Sequence, residues 1–276
     1  MALTVNTNVS ALTATSQLGR TSRKLSDSFA RLSSGLRISK SADDAAGMGV
    51  ADNLDAVSSS ARVAMRNAND GISVISTAEG STTEVTNILK RMRELAVQSS
   101  SETLDDDERA YIQDEYEELA SEVDRIAGGT EFNGVSLSDG TNTTLDVQVG
   151  VNGTANDRIT ITLGDLRGTV LGVDTASLDL SSASGAQSAI SDLDTAIDTV
   201  SGYRSDYGAV ENRLDSALNN LETYATNLEA AESRIRDLDF ASETAEMAKL
   251  QIMQSAGVSV LAQAKNMTAS AAQLLG

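Results

Sequence analysis

The chain has 276 residues, and its 40 acidic against 21 basic residues give a net charge of −19. That balance argues against a nucleic-acid partner. It has no cysteine and no histidine, which excludes disulfides, thiolate metal sites and histidine-based acid–base catalysis. It also has no proline, and aromatic residues make up only 3%, so very long helices are permitted and small side chains must fill whatever core they build.

In chain order, residues 1–36 read as a helix, with a heptad row at Ala11, Leu18, Leu25 and Leu32 supported by Phe29 and Leu36. Val5, Val9 and Leu12 extend its apolar face upstream. The stretch "SSGLRISKSADDAAGMG" (33–49) carries Gly35, Gly47 and Gly49 and reads as a junction between helices. Residues 50–100 are helical again, with Ile75, Leu89 and Ala96 on one row and Ala78, Val85 and Met92 beside it. A second, acidic helix follows "QSSSETLDDDERA", and its Asp run suits the positive end of the helix dipole. Ile112, Leu119 and Ile126 form its apolar row, with Tyr116 and Val123 alongside, and Gly128-Gly129 ends it.

The period then changes from that of a helix to that of a strand. "TTLDVQVGVNG" (143–153) and "DRITITLGDL" (157–166) alternate apolar and polar residues, and Asn152-Gly153 between them is a hairpin turn signal. The stretch "TASLDLSSASGAQ" (175–187) is poor in apolar residues and reads as a flexible linker. From about residue 188 the helical pattern resumes, and it is expected to run unbroken almost to residue 274. Leu214, Leu221, Leu228 and Ile235 make one row of it, with Ala217, Tyr224 and Ala231 on the second. Near the chain end Met253, Val260, Met267 and Leu274 recur every seventh residue, with Gly257, Ala264 and Ala271 on a row beside them.

The fold class expected is mainly α: a long α-helical coiled-coil rod formed by the two chain ends and the central helices, with a small β-hairpin module at about 143–166. Residues 1–42 and 236–276 would form a terminal coiled-coil domain. Residues 43–175 and 188–235 would form a helical domain carrying the hairpin, and 176–187 would be a short linker. The residues expected to pack the terminal coiled coil are Leu18, Leu25, Phe29, Leu32, Ile252, Met253, Val260, Met267 and Leu274. A two-helix coil would leave apolar surface over, which further copies of the chain would cover. End segments rich in Ala, Ser and Gln are expected to be mobile in the free chain, since ordering entropy is offset only in a polymer.

Motifs for chemistry are lacking, and no catalytic, metal or cofactor-binding residue is assigned. Asp105-Asp106-Asp107-Glu108 is no cation site, because adjacent helical residues point in different directions. "GMGVAD" (47–52) follows no strand and is an incomplete nucleotide loop. No apolar run reaches the ~18–20 residues of a membrane span, so no membrane insertion is expected. The opening "MALTVNTNVSALTATSQLGR" does not read as a Sec signal peptide.

Four stretches carry a resemblance: "LSSGLRISKSADDAAGMGVADNL" (32–54), "NANDGISVISTAEGSTTEVTNILKRMRELAVQSS" (67–100), "EFNGVSL" (131–137) and "NLEAAESRIRDLDFASETAEMAKLQIMQSAGVSVLAQA" (227–264). In this order, over nearly the whole chain, the sequence resembles bacterial flagellin. The resemblance implies a non-enzymatic structural subunit, without cofactors, that polymerises into the extracellular flagellar filament of swimming bacteria. The segment 174–187, where larger flagellins insert outer domains, is short here and implies a minimal form. Implied partners are other copies, a flagellin chaperone, the filament cap, the hook–filament junction protein and the flagellar type III export apparatus. The resemblance also implies recognition by the vertebrate Toll-like receptor for flagellin through Arg91, Leu95 and Glu115, with Lys90 standing where that motif commonly has Gln. A hook–filament junction protein shares the end segments and is the alternative; the full match at 67–100 and 227–264 favours flagellin.

Overall fold

With no proline to remove a backbone donor, long helices stop only where a cap stops them. The computed structural model describes residues 7–175 and 178–273, the side chains of 267–273 excepted. Helix α1 (Val9–Ser34) starts at Asn8, whose Oδ1 accepts the Ala11 amide at 2.9 Å, and ends at Gly35 with φ +73°. Helix α2 (Ala45–Ser99) starts where Asp44 Oδ1 accepts the amides of Ala46 and Gly47. Helix α3 (Asp106–Gly129) opens on a reciprocal capping box between Asp105 and Glu108. A four-residue helix α4 (Gly168–Leu171) precedes α5 (Ala183–Arg236), and α6 (Phe240–Gln273) follows.

Two small antiparallel sheets interrupt the helices. Strands β1 (Glu131–Phe132) and β2 (Val135–Ser136) flank Asn133-Gly134, whose φ values of +51° and +79° suit the type I′ turn that closes two-residue hairpins. Strands β3 (Thr144–Gln148) and β4 (Arg158–Thr162) pair from Thr144↔Thr162 to Gln148↔Arg158. The hairpin expected at 143–166 therefore exists, but Asn152-Gly153 is not its tight turn. It lies inside a longer connection that ends in a 3-10 turn at Ala155–Asp157. The two-residue turn is at Asn133-Gly134 instead, where the flanking strands were too short to show alternation.

Two further expectations are corrected. The helix expected from 188 to 274 is broken at 237–239, where Leu36 bridges Asp237 and the Leu238 amide donates to Gly35 O at 3.0 Å. Asp239 then restarts the helix by accepting the Ala241 amide. The stretch 175–187 is not an unattached linker in the parts described. Leu178 and Leu180 are buried, Ser99 Oγ donates to Leu180 O at 2.5 Å, and α5 already begins at Ala183.

The chain divides into two compact units, residues 1–56 with 227–276 and residues 57–226. These divisions fall inside α2 and α5, whereas the domain boundaries expected from the sequence lie at 42/43 and 235/236. In the 57–226 unit, α2 and α5 run antiparallel: Arg93 pairs with Asp194, Arg204 with Glu79, and Leu214 lies over Gly71. One half of this pair is covered by α3, through Tyr116, Ala120, Val123 and Ala127 against Val85, Leu89, Met92 and Ala96. The other half is covered by the β3–β4 hairpin, through Val147, Ile159, Ile161 and Leu163. The α2 rows read from the sequence (Ile75, Leu89, Ala96 and Ala78, Val85, Met92) are fully buried.

Two tyrosines supply polar ends inside this small-residue core. Tyr116 Oη donates to Val173 O at 3.0 Å, and burial pushes its phenol well above the ordinary range. Tyr207 Oη accepts the Gly164 amide at 3.0 Å. Truncation and hydrogen-bond loss should therefore separate. Leu89→Ala is expected to cost about 2–5 kcal/mol through a cavity, and Tyr207→Phe about 1–3 kcal/mol by stranding a buried amide. Urea unfolding followed by circular dichroism ranks the two.

Candidate functional site

A 1–56/227–276 unit built from two terminal helices has to bury its apolar residues in a seam one helix wide. Helices α1 and α6 run antiparallel, since Asn8 Nδ2 donates to Ala264 O at 2.9 Å at one end and Leu238 pairs with Gly35 at the other. On α1 the inward row is Ala11, Ala14, Leu18, Thr21, Leu25, Ser28 and Leu32, in alternating steps of three and four. On α6 it is Met247, Leu250, Gln254, Gly257, Leu261 and Ala264. A side chain at Gly257 would meet Leu18 Cδ1 at 3.4 Å, so glycine lets the two helices approach closely there.

This seam differs from the one expected. Leu18, Leu25 and Leu32 lie in it, but Phe29 is 52% exposed and points away. Ile252, Met253 and Val260 do not pack against α1; they are exposed by 71%, 39% and 57%. The side chain of Met267 and residue Leu274 lie outside the described residues. The physical reason is the second row: Gly257 and Ala264 allow close backbone approach, so the small-residue row turns inward and the large residues turn out.

The outcome is a helix with apolar side chains on most of its circumference. Residues 250–264 carry no charge, and Ile252, Val258 and Val260 stand more than half exposed. Val9 and Leu12 of α1 are exposed as well, at 63% and 68%. A helix apolar all round belongs in an interior, and contiguous exposed apolar surface marks an interaction site.

The breaks at the far end of the seam are held firmly. Arg37 Nη2 donates to the carbonyls of Arg234 and Ile235, the last free acceptors of α5, and its amide donates to Arg236 O at 2.7 Å. Asp43 accepts the amides of Ser39 and Lys40 and lies 3.6 Å from Arg31. The Lys40 and Ser39 amides, aided by Arg31, hold its carboxyl below the usual carboxylate range.

The three receptor-recognition candidates are brought together on the 57–226 unit, but not equally. The Arg91 guanidinium donates to Glu115 Oε1 through Nε at 2.9 Å and Nη2 at 2.8 Å, and to Glu94 at 3.1 Å. Both Arg91 and Glu115 present about half of their side chains to solvent. Leu95 is 1% exposed and belongs to the core between α2, α3 and α5. Among the described residues no His, Cys, Asp and Glu group is placed to hold a metal ion, and no helix is long and apolar enough to cross a membrane.

Residues 5–143 match the family model for the bacterial flagellin N-terminal helical region, and residues 190–275 match that for the C-terminal helical region. A flagellin of Halalkalibacterium halodurans is 40% identical over 271 residues, covering 98% of this chain and 99% of that protein. Flagellin FlaB2 of Treponema pallidum is 36% identical, with the same coverage. Polar flagellin C of Vibrio parahaemolyticus is 33% identical and aligns over 383 positions, many of which have no residue in this shorter chain. The structure of a putative flagellar hook-associated protein from Vibrio parahaemolyticus shares the fold, with TM-score 0.60, 15% identity, and 71% of this chain and 100% of that one covered.

Proposed function

This chain belongs to the bacterial flagellin family, a family of flagellar filament subunits and not of enzymes, and from that premise we propose how it assembles. The exposed apolar face of α6, with Val9 and Leu12 of α1, is the surface that other copies cover when the chain polymerises. The observation that carries this reading is the outward row Ile252, Met253, Val258 and Val260 on a stretch without charge. Burial of such residues contributes roughly 1.5–3 kcal/mol for each large side chain.

On this reading the weakness of the seam keeps the chain unassembled until it meets a filament end. The seam buries few large residues, chiefly Leu25 and Leu250, with Thr21, Ser28 and Ala264 beside them. Each residue ordered costs about 1–2 kcal/mol of backbone entropy, so an isolated α1–α6 pair is weakly held. A chaperone that shields the C-terminal segment, the hook–filament junction protein and the filament cap are the further partners that fit this face. Export through the flagellar type III apparatus belongs to the same reading. Nothing in the geometry favours the junction-protein alternative.

The host-receptor reading rests on Arg91 and Glu115, which share one exposed patch across α2 and α3. Leu95 supports that patch from beneath and does not present itself to a receptor.

Three outcomes test these readings. Ile252→Asp with Val260→Asp should abolish filaments in electron microscopy after a precipitating-salt or seed trigger, as should removal of 247–276. The thermal melt of the 57–226 unit should stay in place, because exposed substitutions usually change stability by less than about 0.5 kcal/mol. Filaments that survive these changes sink the assembly reading. Amide hydrogen exchange in α1 and α6 should be fast in the free chain and slow by orders of magnitude in the polymer. Arg91→Ala should lower receptor-reporter activation several-fold without altering the melt; an unchanged response removes Arg91 from recognition.

A further inference from the structure

Every copy of this chain carries a net charge of −19, so copies repel each other unless opposite charges meet where they touch. The 57–226 unit carries an acidic turn at one end and, near the acids Glu211, Asp215 and Glu222 of α5, two arginines without an ion pair among the described residues at the other. At one end the turn from α2 into α3 presents Glu102, Asp106 and Asp107, all exposed and without a hydrogen bond or ion pair among the described residues. This turn is rigid. Arg109, 6% exposed, donates from beneath to the carbonyls of Ser99, Ser101 and Leu104, and Asp105 is committed to the capping box. The nearest cation is thus spent on holding the loop, and the carboxylates above it are left uncompensated.

At the other end, a groove of about 650 Å³ lies between the β3–β4 connection and α5. Val149, Val151, Leu221 and Tyr224 supply apolar surface, and Arg158 and Arg213 stand on its walls. Both arginines are exposed, and neither is in an ion pair among the described residues, although the chain holds nearly two acids for each base. The groove's own carboxylate, Asp157, is turned onto Thr154, whose hydroxyl it accepts at 2.5 Å. Arginine and tyrosine, two of the residue types enriched in interface hot spots, stand together in this groove.

The two features point in opposite directions along one helix pair. Leu221 packs in one cluster with Ala61 and Ala64 of α2, and the acidic turn follows Ser99. The separation along α2 is roughly 50 Å at ~1.5 Å per residue. We infer that the Arg158–Arg213 groove of one copy receives the acidic 100–107 turn of a second copy. The contact is head-to-tail, with Asp106 and Asp107 paired to the arginines. Because donor and acceptor surfaces differ and lie at opposite ends, the contact repeats without closing. It rests on the filament reading above but is separate from the apolar face of α6.

Charge exchange tests it. R158E/R213E and D106K/D107K are each assayed for elongation at low ionic strength, from sonicated wild-type filament fragments, with circular dichroism melts as the fold control. Each variant alone should elongate at least about tenfold more slowly than wild type. An equimolar mixture of the two should recover most of the rate, since each reversed surface then meets its complement. A variant carrying all four changes should also recover. Elongation of either reversed variant at the wild-type rate overturns the contact, as does failure of both the mixture and the fourfold variant while their melts are normal. Failure of wild type to elongate would instead remove the filament reading itself.

Discussion

The structure depends on a mismatch between how much of α6 is apolar and how much of it one helix can cover. Helix α1 presents a single inward row, and small residues on both sides bring the two backbones close at Leu18 and Gly257. A close seam is narrow. It leaves Ile252, Val258 and Val260 outside, in a stretch with no charge to solvate it. A compact monomer would have buried those residues or replaced them with polar ones. The chain keeps them exposed, and in the assembly proposed above a neighbouring copy would supply the other half of the interior.

The 57–226 unit follows the opposite plan. Its antiparallel α2–α5 pair is covered on one half by a helix and on the other by a hairpin, and the rows facing inward are closed almost completely. Alanine is frequent there, so shape and not bulk fills the core. The two large polar side chains it does contain, Tyr116 and Tyr207, each meet a backbone group and so avoid stranding a buried hydroxyl. This unit can be stable without neighbours.

Charge is arranged with the same economy. Arg37 and Arg109 are both spent on carbonyls, one at the end of α5 and one under the acidic turn. Arg91 and Arg93 are tied to Glu115 and Asp194. The excess carboxylates make free copies repel. In the proposed assembly, repulsion at long range with attraction at chosen contacts would give growth its direction and restrain unspecific aggregation.

Periodicity, composition and the four resemblance stretches determined a good deal. The helix-rich class, the buried α2 rows, the β3–β4 pairing, and the lack of histidine or cysteine chemistry are all local or compositional properties. Family membership was legible for the same reason, since long motifs survive in the chain itself. What tertiary structure decided was direction. The seventh-residue row at Met253 and Val260 and the neighbouring row at Gly257 and Ala264 are equally periodic, and only the partner helix selects which turns inward. It selected the row with the smaller side chains, because close approach gains more contact than bulk at a distance. Leu95 looks like a surface residue in its charged surroundings, but α3 and α5 enclose it. The break at 237–239 is likewise invisible in a pattern without proline, since it is made by residues two hundred positions away, Gly35 and Leu36, pairing across to Leu238 and Asp237.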